Sequence, residues 1–305
     1  MNSQLQSDSG RHTRTALVLG GGGSTGNAWL IGVISGLLDA GLDVTDADLI
    51  IGTSAGSTAA AQLTSATPGE LFAMTLAVPP RQTGGSPQAG GRAAGLVVDH
   101  LERFRSIIAA SDDAADMRRR MGAAALEQAA VADRSEAWRA TVAARFSSRD
   151  WPLHRMLITA VDASTGEPVV FDRDSGVDLV DAVAASTSGG GSAFRIGDRS
   201  FIDGGYRSNA ENADLAAGYE RVLVLSPLGG RSLYPAEWGT HLAMQVDELR
   251  SGGSDVETMV PPSSAEHMFG ANAMEFALRP AAAQVGYEQG SARAEKLIDF
   301  WQLSR

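Results

Sequence analysis

Three short stretches hold residues that could do chemistry together. GTSAG, Gly52 to Gly56, sets Ser54 between two glycines, after the apolar LIIG and before a run of small residues. A serine on so sharp a strand-to-helix turn is a nucleophile elbow pattern. Gly52 and Gly56 remove side chains that would collide at the turn, and the helix directs its unpaired amides and positive dipole end at the hydroxyl. GGGSTG, Gly21 to Gly26, admits three readings. A dinucleotide fingerprint needs an acidic residue at the end of the next strand, where Gly52, Thr53 and Ser54 stand instead. A P-loop needs a terminal Lys followed by Ser or Thr, which is missing. An oxyanion hole needs backbone amides that approach a tetrahedral intermediate unobstructed, which Gly21, Gly22 and Gly23 offer; Gly26 closes the motif. FIDGG places Asp203 ahead of Gly204 and Gly205. Alone it reads as an ordinary turn. It gains weight because the serine needs a base, and His12, His100, His154, His241 and His267 are isolated, none in a glycine-rich strand end. A carboxylate near its reference pKa of about 3.9 is a poor base for a hydroxyl, and burial that raises the pKa makes it a better one.

The surrounding elements must bring these stretches into one place. TALVLG, Thr15 to Gly20, and LIIG, Leu49 to Gly52, read as short buried parallel strands, each running into a loop and then a helix. NAWLIGVISGLLDA, Asn27 to Ala40, is apolar nearly all round and predicts a buried helix stopped by Gly41; a second helix is expected from Thr53. Two strand-loop-helix units in succession favour an α/β fold with a parallel sheet. Further strands are expected at Met156 to Val161, Pro168 to Phe171, Phe201 to Ile202 and Arg221 to Leu225. Arg81 to Arg92 has the composition of a flexible linker, suited to a hinge. Behind it, alternating charge and alanine at helical spacing predicts a helical cap insertion over about 81–150. Ser251 to Ser264 reads as a mobile loop, followed by a helical C-terminus ending near Trp301. Met1 to Arg14 is polar and aperiodic, an expected disordered tail ahead of one domain over 15–305.

Composition narrows the function classes. The 305-residue chain carries 25 Lys and Arg against 36 Asp and Glu, a net charge of −11, which argues against nucleic acid as a partner. The same charge opposes adsorption to anionic membranes, so transient contact with a membrane surface would depend on apolar area. There is no cysteine, hence no thiolate chemistry and no thiolate zinc site. Nothing in the chain calls for a metal or other cofactor. The uncharged run from Thr15 to Leu38 is interrupted by four glycines, which disqualifies it as a signal peptide or a membrane span, and the chain reads as cytoplasmic. Oligomeric state has no signature here.

Taken in order, GGGGSTGNAW, GTSAG and FIDGG resemble the patatin-like phospholipases. The resemblance runs from about Thr15 to about Ser226 and includes AASTSGG, Ala184 to Gly190. It implies a three-layer α/β/α sandwich with a mainly parallel central sheet and a Ser54 and Asp203 dyad that works without histidine. It further implies a Gly21 to Gly23 oxyanion loop, no metal, and hydrolysis of lipid acyl esters through an acyl-enzyme. The chain departs from the family at Thr25, where the family usually has Arg or Lys, at SGGGS after the Ala-Ser dipeptide, and at SNAE after the aspartate motif. Rival readings are a Ser-His-Asp hydrolase using His241 or His267, a catalytically silent lipid- or partner-binding protein, and a dinucleotide-binding oxidoreductase.

Overall fold

The computed structural model describes residues 13–77, 100–189 and 191–302. Its centre is an eight-stranded sheet, comprising β1 (Thr15–Leu19), β2 (Leu49–Gly52), β3 (Arg155–Asp162), β4 (Pro168–Phe171), β5 (Phe194–Ile196), β6 (Arg199–Asp203), β7 (Arg221–Leu225) and β8 (Asp255–Met259). The order is β5-β6-β3-β2-β1-β7-β8, with β4 paired to β3 off that path. Pairing is parallel from β3 through β2, β1 and β7 to β8, and antiparallel where β3 meets β4 and β6.

Strict alternation along the strands divides the core between the two faces. Leu17, Leu19, Ile50, Ile158, Leu223 and Leu225 join the cluster on one face, and Ala16, Val18, Leu49, Ile51, Val222 and Val224 join the cluster on the other. The first face is covered by α1 (Gly23–Asp39), α2 (Ala55–Leu63), α3 (Pro68–Leu76) and, later in the chain, a helix over Leu179–Ser186 and one over Arg279–Gln302. The helix over Leu242–Ser251 covers the second face. This is the three-layer α/β/α arrangement with a mostly parallel sheet. Residues 100–109 form α4, and α5 (Ala114–Val131) and α6 (Ser135–Ala143) follow, joined by short non-helical stretches, with residues 144–150 in turns and irregular structure. Met117, Met121 and Ala125 of α5 pack on Val161 of β3 and Ile202 of β6. The remaining helices are then α7 (Leu179–Ser186), α8 (Leu242–Ser251) and α9 (Arg279–Gln302).

Three expectations change. The stretch Ser251 to Ser264, expected as a loop, contains β8: its polar alternation is that of an edge strand, and β7 templates it in register from Arg221↔Asp255 to Leu225↔Met259. Helix α1 begins at Gly23 rather than Asn27, because the glycines themselves take up its first turn. The strand β5 was not anticipated; it is three residues long and exists by pairing with β6. Of the expected tail, Met1 to Arg14, residues 1–12 lie outside the described residues; the Arg14 carbonyl accepts from the Glu220 and Arg221 amides, at 3.0 and 3.2 Å. The linker at Arg81 to Arg92 also lies outside the described residues. Among the described residues, no helix is long and apolar enough to cross a membrane; the run from Thr15 to Leu38 is spent on β1 and α1.

Candidate active site

The sheet register alone brings Ser54 to Asp203. Parallel pairing sets Gly52, the last residue of β2, against Ile158 of β3. Two residues further along β3, Ala160 pairs with Asp203 at the end of β6, which runs antiparallel. Strand β4 occupies the opposite edge of β3 at both points, so β2 and β6 share one edge and meet end to end. Ser54 follows β2 by two residues, and its hydroxyl donates to Asp203 Oδ2 at 2.8 Å.

Ser54 has φ 51° and ψ −111°, one of two positive-φ residues other than glycine in the described chain. Such a backbone costs roughly 1–3 kcal/mol and persists only where its surroundings impose it. Here the Ser54 amide donates to Ser186 Oγ at 3.0 Å, and the Ser54 carbonyl accepts from Ser57 Oγ at 2.6 Å. The flanking glycines permit the turn to lie on the sheet. A Cβ at Gly56 would overlap the Leu19 carbonyl, and one at Gly52 would stand 2.7 Å from Ser57 Cα.

Asp203 is 8% exposed. Its Oδ1 accepts from the Gly205 amide at 2.8 Å, while a Cβ at Gly204 would overlap Thr159. Burial pushes the Asp203 carboxyl up to about 6, against the smaller opposing effects of the Gly205 amide and the Ser54 hydroxyl. The expected desolvation is therefore present, and it makes Asp203 a stronger base than a carboxylate in water. Tyr206 and Tyr234, buried behind it, are held well above the ordinary phenol range, first by burial.

The glycine loop lies against the serine: a Cβ at Gly21 would be 3.5 Å from Ser54 Cβ. Its amides are not equivalent. Gly20 donates to the Leu225 carbonyl at 2.9 Å and Gly21 to the Ala210 carbonyl at 2.7 Å. Gly21 is thus already engaged, and of the three expected donors the amides of Gly22 and Gly23 are the ones with no partner among the described residues. Gly26 spends its amide on the Gly22 carbonyl at 3.0 Å.

Several residues escaped the sequence reading because they carry no motif of their own. Asn212, fully buried at φ 55°, donates to Thr53 Oγ1 at 3.0 Å and to the Gly204 carbonyl at 3.0 Å, tying elbow to aspartate loop. Asn212→Ala should cost about 2–4 kcal/mol, since it leaves the Gly204 carbonyl short of a donor and puts alanine in a left-handed conformation. A chemical denaturation midpoint unchanged in that variant would contradict this role. Glu211, 1% exposed, accepts from Ser226 Oγ at 2.6 Å, and burial pushes its carboxyl up to about 7. The only sequence signal was the SNAE segment, Ser208 to Glu211, which contains Glu211 and stops one residue short of Asn212.

The histidines stand elsewhere. His241 Nε2 lies 2.8 Å from the Tyr234 carbonyl, His267 Nδ1 3.1 Å from the Ser264 carbonyl, and His100 Nε2 2.8 Å from the Tyr206 hydroxyl. None of these rings is hydrogen-bonded to Ser54, whose hydroxyl partner is Asp203. A cleft of about 750 Å³ between the α4–α5 turn and Pro235 to Trp238 contains neither Ser54 nor Asp203.

No curated protein matches the chain. Among solved structures, it is similar to VipD from Legionella pneumophila at 12% identity and a TM-score of 0.43, covering 93% of this chain and 67% of that one. It is also similar to the type III effector protein ExoU at 16% identity and a TM-score of 0.41, covering 93% of this chain but only 53% of the effector. The family model described as patatin-like phospholipase matches residues 17–214, a span that contains the glycine loop, the elbow and the aspartate motif. With well over half of its length matched, the chain belongs to the patatin-like phospholipase family.

Proposed function

We propose that this protein is a lipid acyl hydrolase that cleaves carboxylic esters through an acyl-enzyme on Ser54. The observation that carries the reading is the 2.8 Å hydrogen bond from a strained, partly exposed serine to a buried aspartate. Asp203 takes the hydroxyl proton as Ser54 attacks the ester carbonyl, and the amides of Gly22 and Gly23 receive the oxyanion. As the tetrahedral intermediate collapses, the proton passes from Asp203 to the leaving alkoxide. Water, deprotonated by the same carboxylate, then attacks the acyl-enzyme, and the fatty acid leaves with Ser54 restored. Helices α4, α5 and α6 serve as the cap of a single domain over 15–305.

The test is turnover of nitrophenyl esters of graded acyl length, together with covalent labelling by a fluorophosphonate located by peptide mapping. Turnover that favours longer chains, with the label on Ser54, is the expected result. A folded protein that neither turns over any ester nor takes the label would instead be a silent lipid- or partner-binding member of the family.

A further inference from the structure

The C-terminal segment, beyond the matched family span, grips the glycine loop. Arg279, the first residue of α9, donates from Nη1 to the Ser24 carbonyl at 2.7 Å and to Ser24 Oγ at 3.1 Å, and from Nη2 to Asn27 Oδ1 at 3.2 Å. Six residues earlier, the Ala273 carbonyl accepts from the Thr25 amide at 3.0 Å and from its hydroxyl at 3.4 Å. Behind these contacts α9 is locked to α1 by two small-residue pairs, Gly32 and Gly36 on one helix and Gly286 and Gly290 on the other. A Cβ at Gly32 would overlap the Ala283 carbonyl, and one at Gly286 the Trp29 carbonyl, so the helices meet backbone to backbone. Arg279 is thereby fixed over the first turn of the helix that begins with Gly22 and Gly23.

A cation at that end is misplaced if α1 is only structural. A helix N-terminus already carries roughly half a positive charge, and acidic side chains are the stabilising ones there. Yet α1 has no acidic residue in its first turn and no side-chain cap, and α2, which also starts at the site, has neither. All three Arg279 bonds go to neutral oxygens, so no carboxylate cancels its charge through them. Its pKa is lowered by burial and by the neighbouring Arg145 guanidinium, and the compensation in view is a cation–π contact with the Phe276 ring, whose centroid lies 5.7 Å from the guanidinium carbon. Nothing else in the loop supplies charge, since Gly20 to Asn27 are all neutral. This unfavourable arrangement has an offset if negative charge develops nearby during the reaction.

We propose that Arg279 is a positioning residue for acyl transfer. Its charge, held at the first turn of α1, raises the positive potential at the Gly22 and Gly23 amides, and its fork keeps the loop in register with Ser54. The inference rests on the acyl-transfer reading of the Ser54 and Asp203 pair.

The experiment compares wild type, Arg279→Lys and Arg279→Gln for kcat and KM on a short nitrophenyl ester, for the rate of fluorophosphonate labelling, and for Tm. Lysine keeps the charge and loses the fork; glutamine keeps hydrogen bonding and loses the charge. Expected is a fall of about tenfold to a hundredfold in kcat and labelling rate for glutamine, with KM little changed, while lysine retains most activity whatever its Tm. Equal losses in both variants that follow Tm, or full activity in the glutamine variant, overturn the proposal. A wild type that is neither active nor labelled overturns the acyl-transfer reading and this inference with it; an active wild type beside an indifferent glutamine variant overturns this inference alone.

Discussion

Asp203→Asn should fold, lose ester turnover by about 10³-fold or more, and be more stable than wild type at pH 8. The amide keeps the shape of the side chain, and its oxygen can still accept from the Gly205 amide, now at 2.8 Å. The NH2 that takes the place of Oδ2, now 2.8 Å from Ser54 Oγ, donates to the hydroxyl and cannot accept the serine proton. The stability gain follows from linkage. The Asp203 carboxyl has an ordinary value of 3.8 and is raised to about 6 in the folded protein, so folding favours its protonated form. That contribution is complete below pH 3.8 and is lost as pH rises through about 6, leaving a buried carboxylate whose cost is on the order of 2–3 kcal/mol. Asparagine never ionises, so the gain should appear at pH 8 and vanish below about pH 4. Catalysis has the opposite dependence, because only the ionised carboxyl accepts a proton: wild-type kcat/KM should rise through pH 6 and level above it. Urea unfolding at pH 4 and pH 8, with pH-rate profiles, checks both halves. A variant that retains turnover removes Asp203 from the mechanism; one that is active nowhere but no more stable at pH 8 means the carboxylate is better solvated than its burial suggests.

Gly22→Ala should lower kcat about a hundredfold while KM changes little, the pattern expected when a transition-state interaction is lost and substrate binding is not. The new Cβ would stand 2.6 Å from Pro227 Cβ and 3.1 Å from Gly26 Cα. Neither neighbour can give way, one being a ring and the other the backbone of α1, so the loop itself must shift away. Misplacement of the donors by even about 1 Å is costly in a site whose work is electrostatic. The closer overlap is with the Pro227 ring, which provides a control. Pairing Gly22→Ala with Pro227→Gly removes that overlap, leaves the tighter-than-usual approach to Gly26 Cα, and should recover part of kcat; steady-state kinetics of the single and double variants decide the matter. A folded Gly22→Ala protein with wild-type kcat would mean that the Gly22 amide receives no oxyanion.

Of the residues behind these effects, Gly22 and the Ser54 that Asp203 serves were visible in the primary structure for a local reason. A nucleophile elbow and a glycine loop are backbone devices: they need particular residue types at fixed offsets, so GTSAG and GGGSTG announce Ser54 and Gly21 to Gly26 without any long-range information. The buried strands β1, β2 and β7 and the apolar helix α1 are legible for a similar reason, since continuous apolar runs bounded by glycine or polar turns have few other ways to be buried.

What only the tertiary structure decided was pairing. Asp203 could be nominated as a base by elimination, but its 2.8 Å contact with Ser54 exists because β2 and β6 meet end to end on one edge of β3, 149 residues apart in the chain. The choice among the loop amides depended on Ala210, whose carbonyl takes the Gly21 proton. Strand β8 was concealed because an edge strand with polar alternation has no signal apart from the neighbour that templates it. Asn212, Glu211 and Arg279 were hidden for the same reason: a lone polar residue acquires meaning from what surrounds it, and those surroundings lie up to 255 residues away. Local geometry is written in residue types and spacing, whereas burial, register and charge placement are properties of segments brought together by folding.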